Sequence, residues 1–231
     1  MNWLTTWLLQ LHDTFIVGER YMMLIDGLKN TLIISLGALL IGVVLGSLIA
    51  IVKYFSEDNP KLTLVRWICD IYITVLRGIP VTVQLLIFFF IIMKAADGIT
   101  VAVVAFGINS SAYVAEVVRS GILSVDPGQM EAGRSLGMSS SQTMWKIIMP
   151  QAMKNILPAI GNEMIALLKE TSVAGYVAVV DLTRAGNLIR NNTYDAVNPL
   201  LFVAVTYLVL VVGLTAILGR FERRLRKSDK R

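Results

Sequence analysis

Residues 127–158 read PGQMEAGRSLGMSSSQTMWKIIMPQAMKNILP, a compact polar hinge between two apolar stretches. Asp126 suits an N-cap, Pro127 falls at the first helical position and Gln129 stands three residues after the cap. Together these predict a short helix opened by a capping box. That helix is expected to stop near Leu136, because Gly137 sits where a left-handed C-terminal cap is wanted. Ser139, followed three residues later by Gln142, forms a second capping box and starts a new helix. The result is helix, tight turn, helix, carrying Glu131, Arg134 and Gly137 on a stretch too polar to lie in lipid. Pro150 and Pro158 follow as the chain turns apolar again, so the hinge reads as a docking element between two membrane segments.

The chain around the hinge is built for a bilayer. Of its 231 residues 55% are hydrophobic and 16% charged, with a mean hydropathy of +0.68, which is too apolar for an ordinary soluble domain. The one cysteine, Cys69, excludes an internal disulfide, and the one histidine, His12, leaves no material for a histidine-rich zinc site or a Ser-His-Asp triad. The formal charge of +5 collects at the ends of apolar segments, where membrane topology explains it better than nucleic acid does.

These patterns predict an all-α integral membrane protein, a single domain over residues 1–231 with five spans. Residues 1–20 place Leu4, Trp7, Leu8 and Leu11 at helical spacing beside Trp3, and no basic residue precedes them. A cleavable signal peptide is not expected; an interfacial helix with tryptophan anchors is the favoured reading, with a helix packed on neighbouring spans as the alternative. Span one covers residues 28–53 around the uncharged run Thr31–Val52, about 33 Å as a helix. Its Gly42 and Gly46 would allow close helix approach. A charged linker from Lys53 to Arg66 leads to span two, residues 67–93, which Arg77, Gly78 and Pro80 interrupt with a kink or a separate amphipathic turn. Asp70 and Arg77, two turns apart, read as a packing salt bridge or a snorkelling arginine. Span three covers 99–121, span four 155–180 and span five 198–219. Residues 181–198 form an exposed loop with room for a short helix, and the basic tail occupies 220–231.

Two spans are unusually polar. Asn109, Tyr113 and Glu116 fall on one face of span three with Ser110 adjacent, and Glu163 and Glu170, seven apart, share a face of span four with Thr171 nearby. Ionisable groups there should face the bundle interior or a wet cavity, because lipid exposure is costly. The alternatives are a structural pair of Glu116 with a base such as Arg119, and a polar network in span four that only fixes helix register.

The hinge EAGRSLGMSSSQTMWKIIMPQAMKNILP resembles the EAA loop of ABC importer permeases. The flanking LRGIPVTVQLLIFF (76–89), INSSAYVAEVVRSGI (108–122) and LLKETSVAGYVAVVDLT (167–183) are similar to the polar amino-acid branch of that family. With GLKNTL at 27–32 and FERRL at 221–225, the resemblance spans nearly the whole chain. Gly133 departs from the family's second alanine and should loosen the coupling helix by about 1 kcal/mol; Met149 departs from the leucine before the proline. The resemblance implies the type I importer fold, with the loop 126–150 coupling to a separate ATPase. There Glu131 makes polar contact, Ala132 packs closely, Gly133 and Arg134 continue the coupling helix, and Gly137 supplies a turn that a side chain would block.

It further implies partners: a dimer of ATP-binding subunits, an extracellular solute-binding protein, a second permease chain, identical or different, membrane lipid and an amino-acid substrate. No nucleic acid and no cofactor are expected in this chain. It has no G-x-x-x-x-G-K-[ST] phosphate loop, so ATP and Mg²⁺ belong to the partner, and the chain is not expected to be an enzyme. Asn109, Ser110, Tyr113, Glu116, Glu163, Glu170 and Thr171 are the expected substrate-pocket residues. The surplus of acids over Lys169 leans towards arginine, lysine or histidine, with glutamine or glutamate, or an ion-coupled secondary transporter, as alternatives. Lys53, Lys61, Arg66, Arg119, Arg134, Lys146, Lys154 and the basic tail outnumber Arg20, Lys29, Lys94, Arg184 and Arg190. This bias puts the coupling loop and C-terminus in the cytoplasm and the N-terminus outside a bacterial inner membrane.

Overall fold

The structure, a computed structural model, describes residues 3–57 and 59–227. Residues 1–2 of the expected interfacial helix, Asp58 of the linker and residues 228–231 of the basic tail lie outside the described residues. Every regular element among the described residues is helical. Helix α1 (Trp3–Leu11) leads through a π-helical turn at His12–Ile16 and a 3₁₀ turn into α2 (Tyr21–Glu57). Then come α3 (Thr63–Gly78), α4 (Val81–Ile87), α5 (Gly98–Leu123), α6 (Gly128–Ser135), α7 (Ser140–Thr143), α8 (Met149–Glu170), α9 (Leu182–Thr193) and α10 (Asn198–Lys227).

Three of these, α2, α5 and α10, are long and apolar enough to cross a membrane. The pair made by residues 60–78 and 81–92 brings the number to as many as four among the described residues. That pair breaks at Ile79, whose backbone is extended (φ −100°, ψ 131°) just before Pro80, as the residue before a proline prefers. The break expected in span two is therefore present as two separate helices. Helix α8 carries Glu163, Lys169 and Glu170 and is not among the helices apolar enough to count.

Several boundaries differ from the sequence reading. Helix α2 runs past Lys53 to Glu57, and α3 starts at Thr63 rather than near Trp67, which leaves a much shorter linker. No breaker stands between Lys53 and Glu57, and Asn59 accepts from the Lys61 N–H at 3.0 Å to open the turn that leads into α3. At the end of α8 the α-helix stops at Glu170 and tightens into a 3₁₀ run, Thr171–Val177, closed by Ala178 in the left-handed region (φ 61°). Residues 181–198 are no simple exposed loop. Their helix α9 is capped by the Asp181 side chain, which accepts from the N–H groups of Thr183 and Arg184.

The chain folds as two compact units. The first comprises Met1–Ala38, Val81–Phe106 and Ala166–Gly213, and the second Leu39–Pro80, Gly107–Ile165 and Leu214–Arg231. In the first, Leu24, Leu182, Ala185, Ile189 and Val203 form the core. The N-terminal segment is fastened there: Trp7 Nε1 donates to Asn198 Oδ1 at 3.2 Å, and the Thr14 hydroxyl donates to Asp195 Oδ2 at 2.8 Å. In the second, Ala50 and Val114, Val118 and Ile122 of α5 pack with Met144, Ile148, Ala152 and Ile156. Gly42 and Gly46 serve contact within the chain: a Cβ on either would fall 2.6 Å from Ser110 Oγ or the Ser111 carbonyl, respectively, so α2 and α5 meet nearly backbone to backbone.

Candidate functional site: coupling hairpin and intramembrane polar residues

The hairpin is assembled by local bonds. Ser139 caps α7 with both halves of a capping box, its Oγ accepting from Gln142 N at 3.2 Å and its own N–H donating to Gln142 Oε1 at 2.9 Å. Gly137 adopts φ 83°, the left-handed conformation expected of it, and the N–H of Met138 donates back to the Gly133 carbonyl at 3.1 Å. The first capping box does not form as expected. Pro127 already has helical dihedrals, α6 starts at Gly128, and Asp126 Oδ1 accepts from the Gly128 N–H at 2.7 Å. The Gln129 side chain instead accepts from Gln151 Nε2 at 3.4 Å.

Gly133 is buried, and a Cβ on it would lie 2.5 Å from Thr143 Cγ2. The glycine that was expected only to loosen α6 is what lets α7 pack on it. Space around Gly137, by contrast, is open within 4 Å, so its constraint is conformational and not steric. Arg134 reaches the Ser140 hydroxyl at 3.2 Å. Glu131 and Ala132 are exposed, as is Leu136, at 82% exposure an apolar side chain presented on a polar hairpin. Within this chain the close-packed residue of the hairpin is thus Gly133 and not Ala132.

In the second unit, α5 gathers most of the expected pocket residues. Ser110 Oγ donates to Glu163 Oε1 at 2.7 Å, joining span three to α8. Asn109 is buried and donates to the Leu76 carbonyl at 3.2 Å. Tyr113 lies under the guanidinium of Arg77, 5.2 Å from ring centroid to Cζ. Glu116 makes the pair with Arg119 that the sequence offered as an alternative: Arg119 meets it at 3.1 Å, and Lys53 Nζ lies 3.5 Å from it and 2.7 Å from Asp70. Asp70 and Arg77, read as a pair, therefore have different partners. Glu170 and Thr171 belong to the first unit, where Glu170 is half-buried and the Thr171 hydroxyl donates to the Leu168 carbonyl at 2.9 Å.

Residues outside the sequence reading also join in. The hydroxyls of Tyr72 and Ser111 are hydrogen-bonded at 2.6 Å, and Lys53, assigned to a linker, is the cation that links Asp70 to Glu116. Their separation in sequence hides both contacts; only the presence of polar side chains at the ends of apolar runs hinted at them.

Residues 42–227 match the family described as binding-protein-dependent transport system inner membrane component. The chain belongs to that family. It is 37% identical to the probable glutamine ABC transporter permease protein GlnM of Bacillus subtilis (strain 168), over 92% of this chain and 98% of that protein. It is also 37% identical to the arginine transport system permease protein ArtQ of the same organism, over 89% and 94%. Among solved structures, an amino acid ABC transporter crystallised with histidines superposes with a TM-score of 0.83 at 41% identity, covering 91% of this chain and 98% of that one. The chain is an ABC importer permease with the type I importer fold, a transport subunit and not an enzyme. ATP hydrolysis in such systems lies in a partner subunit, in keeping with a permease that lacks a phosphate loop.

Proposed function

We propose that this permease carries a polar, basic amino acid into a bacterial cell by alternating access, driven by a separate dimer of ATP-binding subunits. An extracellular solute-binding protein delivers the substrate, and a second permease chain completes the pathway. The observation that carries the reading is the hairpin: a doubly capped turn that presents Glu131, Ala132 and Leu136 outward from a stretch that the charge bias places in the cytoplasm. Glu131 offers the ATPase a polar contact and Leu136 an apolar one. Residues Gly133, Arg134 and Gly137 hold the hairpin's shape. Five spans, with α8 and its 3₁₀ extension as the fourth, set the N-terminus outside and the C-terminus inside.

The amino-acid class is supported by the likeness to a probable glutamine ABC transporter permease and to an arginine transport system permease. The basic preference rests on the surplus in sequence of Glu116, Glu163 and Glu170 over Lys169; of these acids Glu116 is paired with Arg119 and Lys53. Asn109, Ser110, Tyr113, Glu116 and Thr171 shape the polar surroundings in this reading. A glutamine or glutamate importer is the second reading, favoured by the equal identity to the glutamine relative. The test is competitive uptake in proteoliposomes holding the permease, its ATPase and its binding protein. Labelled arginine should outcompete glutamine and glutamate; glutamine transported in preference to arginine would select the second reading.

A further inference from the structure

The first unit holds a cavity of about 580 Å³ beside the 3₁₀ run and the start of α9, lined in part by Ser172, Tyr176, Asp181, Thr183, Arg184 and Asn187. Its polar groups are poorly used. Among the described residues the Ser172 and Tyr176 hydroxyls, the Asn187 amide and the Arg184 guanidinium make no hydrogen bond or ion pair. Asp181, the acid at this cavity, is fully buried and accepts from the backbone N–H groups of Thr183 and Arg184, so it forms no ion pair with the guanidinium. The aliphatic stem of Arg184 lies over Gly175, where a Cβ would sit 3.4 Å from both Cβ and Cδ of the arginine. The stem is thus supported and the fork of donors left available. A guanidinium in a concave site with neutral donors around it suits a planar carboxylate, which it binds through paired N–H groups.

We propose that this cavity is an outer vestibule that holds the arriving amino acid by its α-carboxylate, with Arg184 as the principal ligand and Tyr176, Ser172 and Asn187 as neutral partners. The inference rests on the importer reading and its orientation, which put residues 181–198 outside the cell. Such a site reads the group common to all amino acids, so it admits substrate without choosing the side chain. Selection is left to other residues.

The test uses the permease with its ATPase in vesicles, with Cys69→Ser to remove the native thiol and Val173→Cys as a reporter at the cavity wall. Maleimide labelling is followed with arginine, glutamine or agmatine, which is arginine without its carboxylate. Arginine and glutamine should both protect the reporter and agmatine should not. Arg184→Gln should raise the half-protecting concentration about tenfold or more, and Arg184→Lys should restore part of it. The same vesicles with the binding protein added report ATP-driven uptake. If uptake occurs while agmatine protects as well as arginine, or protection is absent, or Arg184→Gln leaves it unchanged, the vestibule is overturned and the importer reading stands. If no amino acid is taken up, the importer reading falls and the vestibule falls with it.

Discussion

Gly133 of α6 and Thr143 of α7 approach so closely that a Cβ on the glycine would lie 2.5 Å from Thr143 Cγ2 and 2.7 Å from its Oγ1. The contact ties the two helices of the hairpin together. Alanine at 133 would gain up to about 1 kcal/mol of helix propensity, but overpacking a buried contact costs about 1–3 kcal/mol. Gly133→Ala should therefore lower the Tm of the purified permease. Adding Thr143→Ala, which removes both clashing atoms, should recover most of the loss. A single variant as stable as wild type would show that the contact is not tight.

Gly137 presents a different constraint, since its surroundings are open and only its φ of 83° matters. Gly137→Ala should cost about 1–2 kcal/mol, and Gly137→Asn less, because asparagine tolerates the left-handed region. Hydrogen exchange over residues 136–143 checks the order: fastest in the alanine variant, intermediate in asparagine, slowest in wild type.

Lys53 bridges two acids from different helices, and Arg119 meets Glu116 at 3.1 Å. Lys53→Met leaves Asp70 without this cation and Glu116 with Arg119 alone, and should destabilise by roughly 2 kcal/mol, within the range for charge-assisted bonds. Arg119→Met should cost less, as Glu116 keeps Lys53. Thermal denaturation of both variants in detergent tests the ranking; equal losses would contradict it.

Burial pushes the Asp195 carboxyl up, but bonds from the Asn198 amide, the Thr14 hydroxyl and the backbone N–H groups of Asn198 and Val197 outweigh it and hold the group below its ordinary value. A depressed carboxyl pKa stabilises the fold fully above the unfolded value, near pH 3.9, and the stabilisation is lost as pH falls through the lower folded value. Asp195→Asn should thus loosen the N-terminal segment at neutral pH by about 1–2 kcal/mol. Hydrogen exchange of residues 3–19 should show the gap between variant and wild type closing in acid. A gap independent of pH would rule out the carboxylate as its source.

Glu163 accepts from Ser110 at 2.7 Å and is the acid of α8 whose partner lies on span three. Glu163→Gln keeps the acceptor and removes the charge. Arginine uptake should fall about tenfold or more, the loss expected for a charge-assisted bond, with glutamine uptake affected less. Equal effects on both would place the charge outside substrate recognition.

The hairpin was legible because its determinants are local. Gly137, Ser139 and Gln142 act on backbone groups within a few residues, so spacing alone states the geometry. The same holds for the break before Pro80. The packing of Gly133 was not legible because its partner lies ten positions away, and the Asp126 cap took a tighter form than the box pattern implied. The buried face of α9 was available in the spacing of Leu182, Ala185 and Ile189 but was masked by the surrounding arginines and asparagines. The charged cluster was not legible at all: Lys53, Asp70 and Glu116 come from three helices, and only tertiary packing brings them together.

On the proposed function, the hairpin couples this permease to an ATPase. The most direct test is ATP-driven arginine uptake by the reconstituted complex carrying Leu136→Asp, a change at a residue 82% exposed in the chain. The variant permease should fold with wild-type Tm but lose its ATPase in co-purification and its ATP-driven uptake. Wild-type uptake by that variant, or uptake by the permease alone without any ATPase, would contradict that coupling.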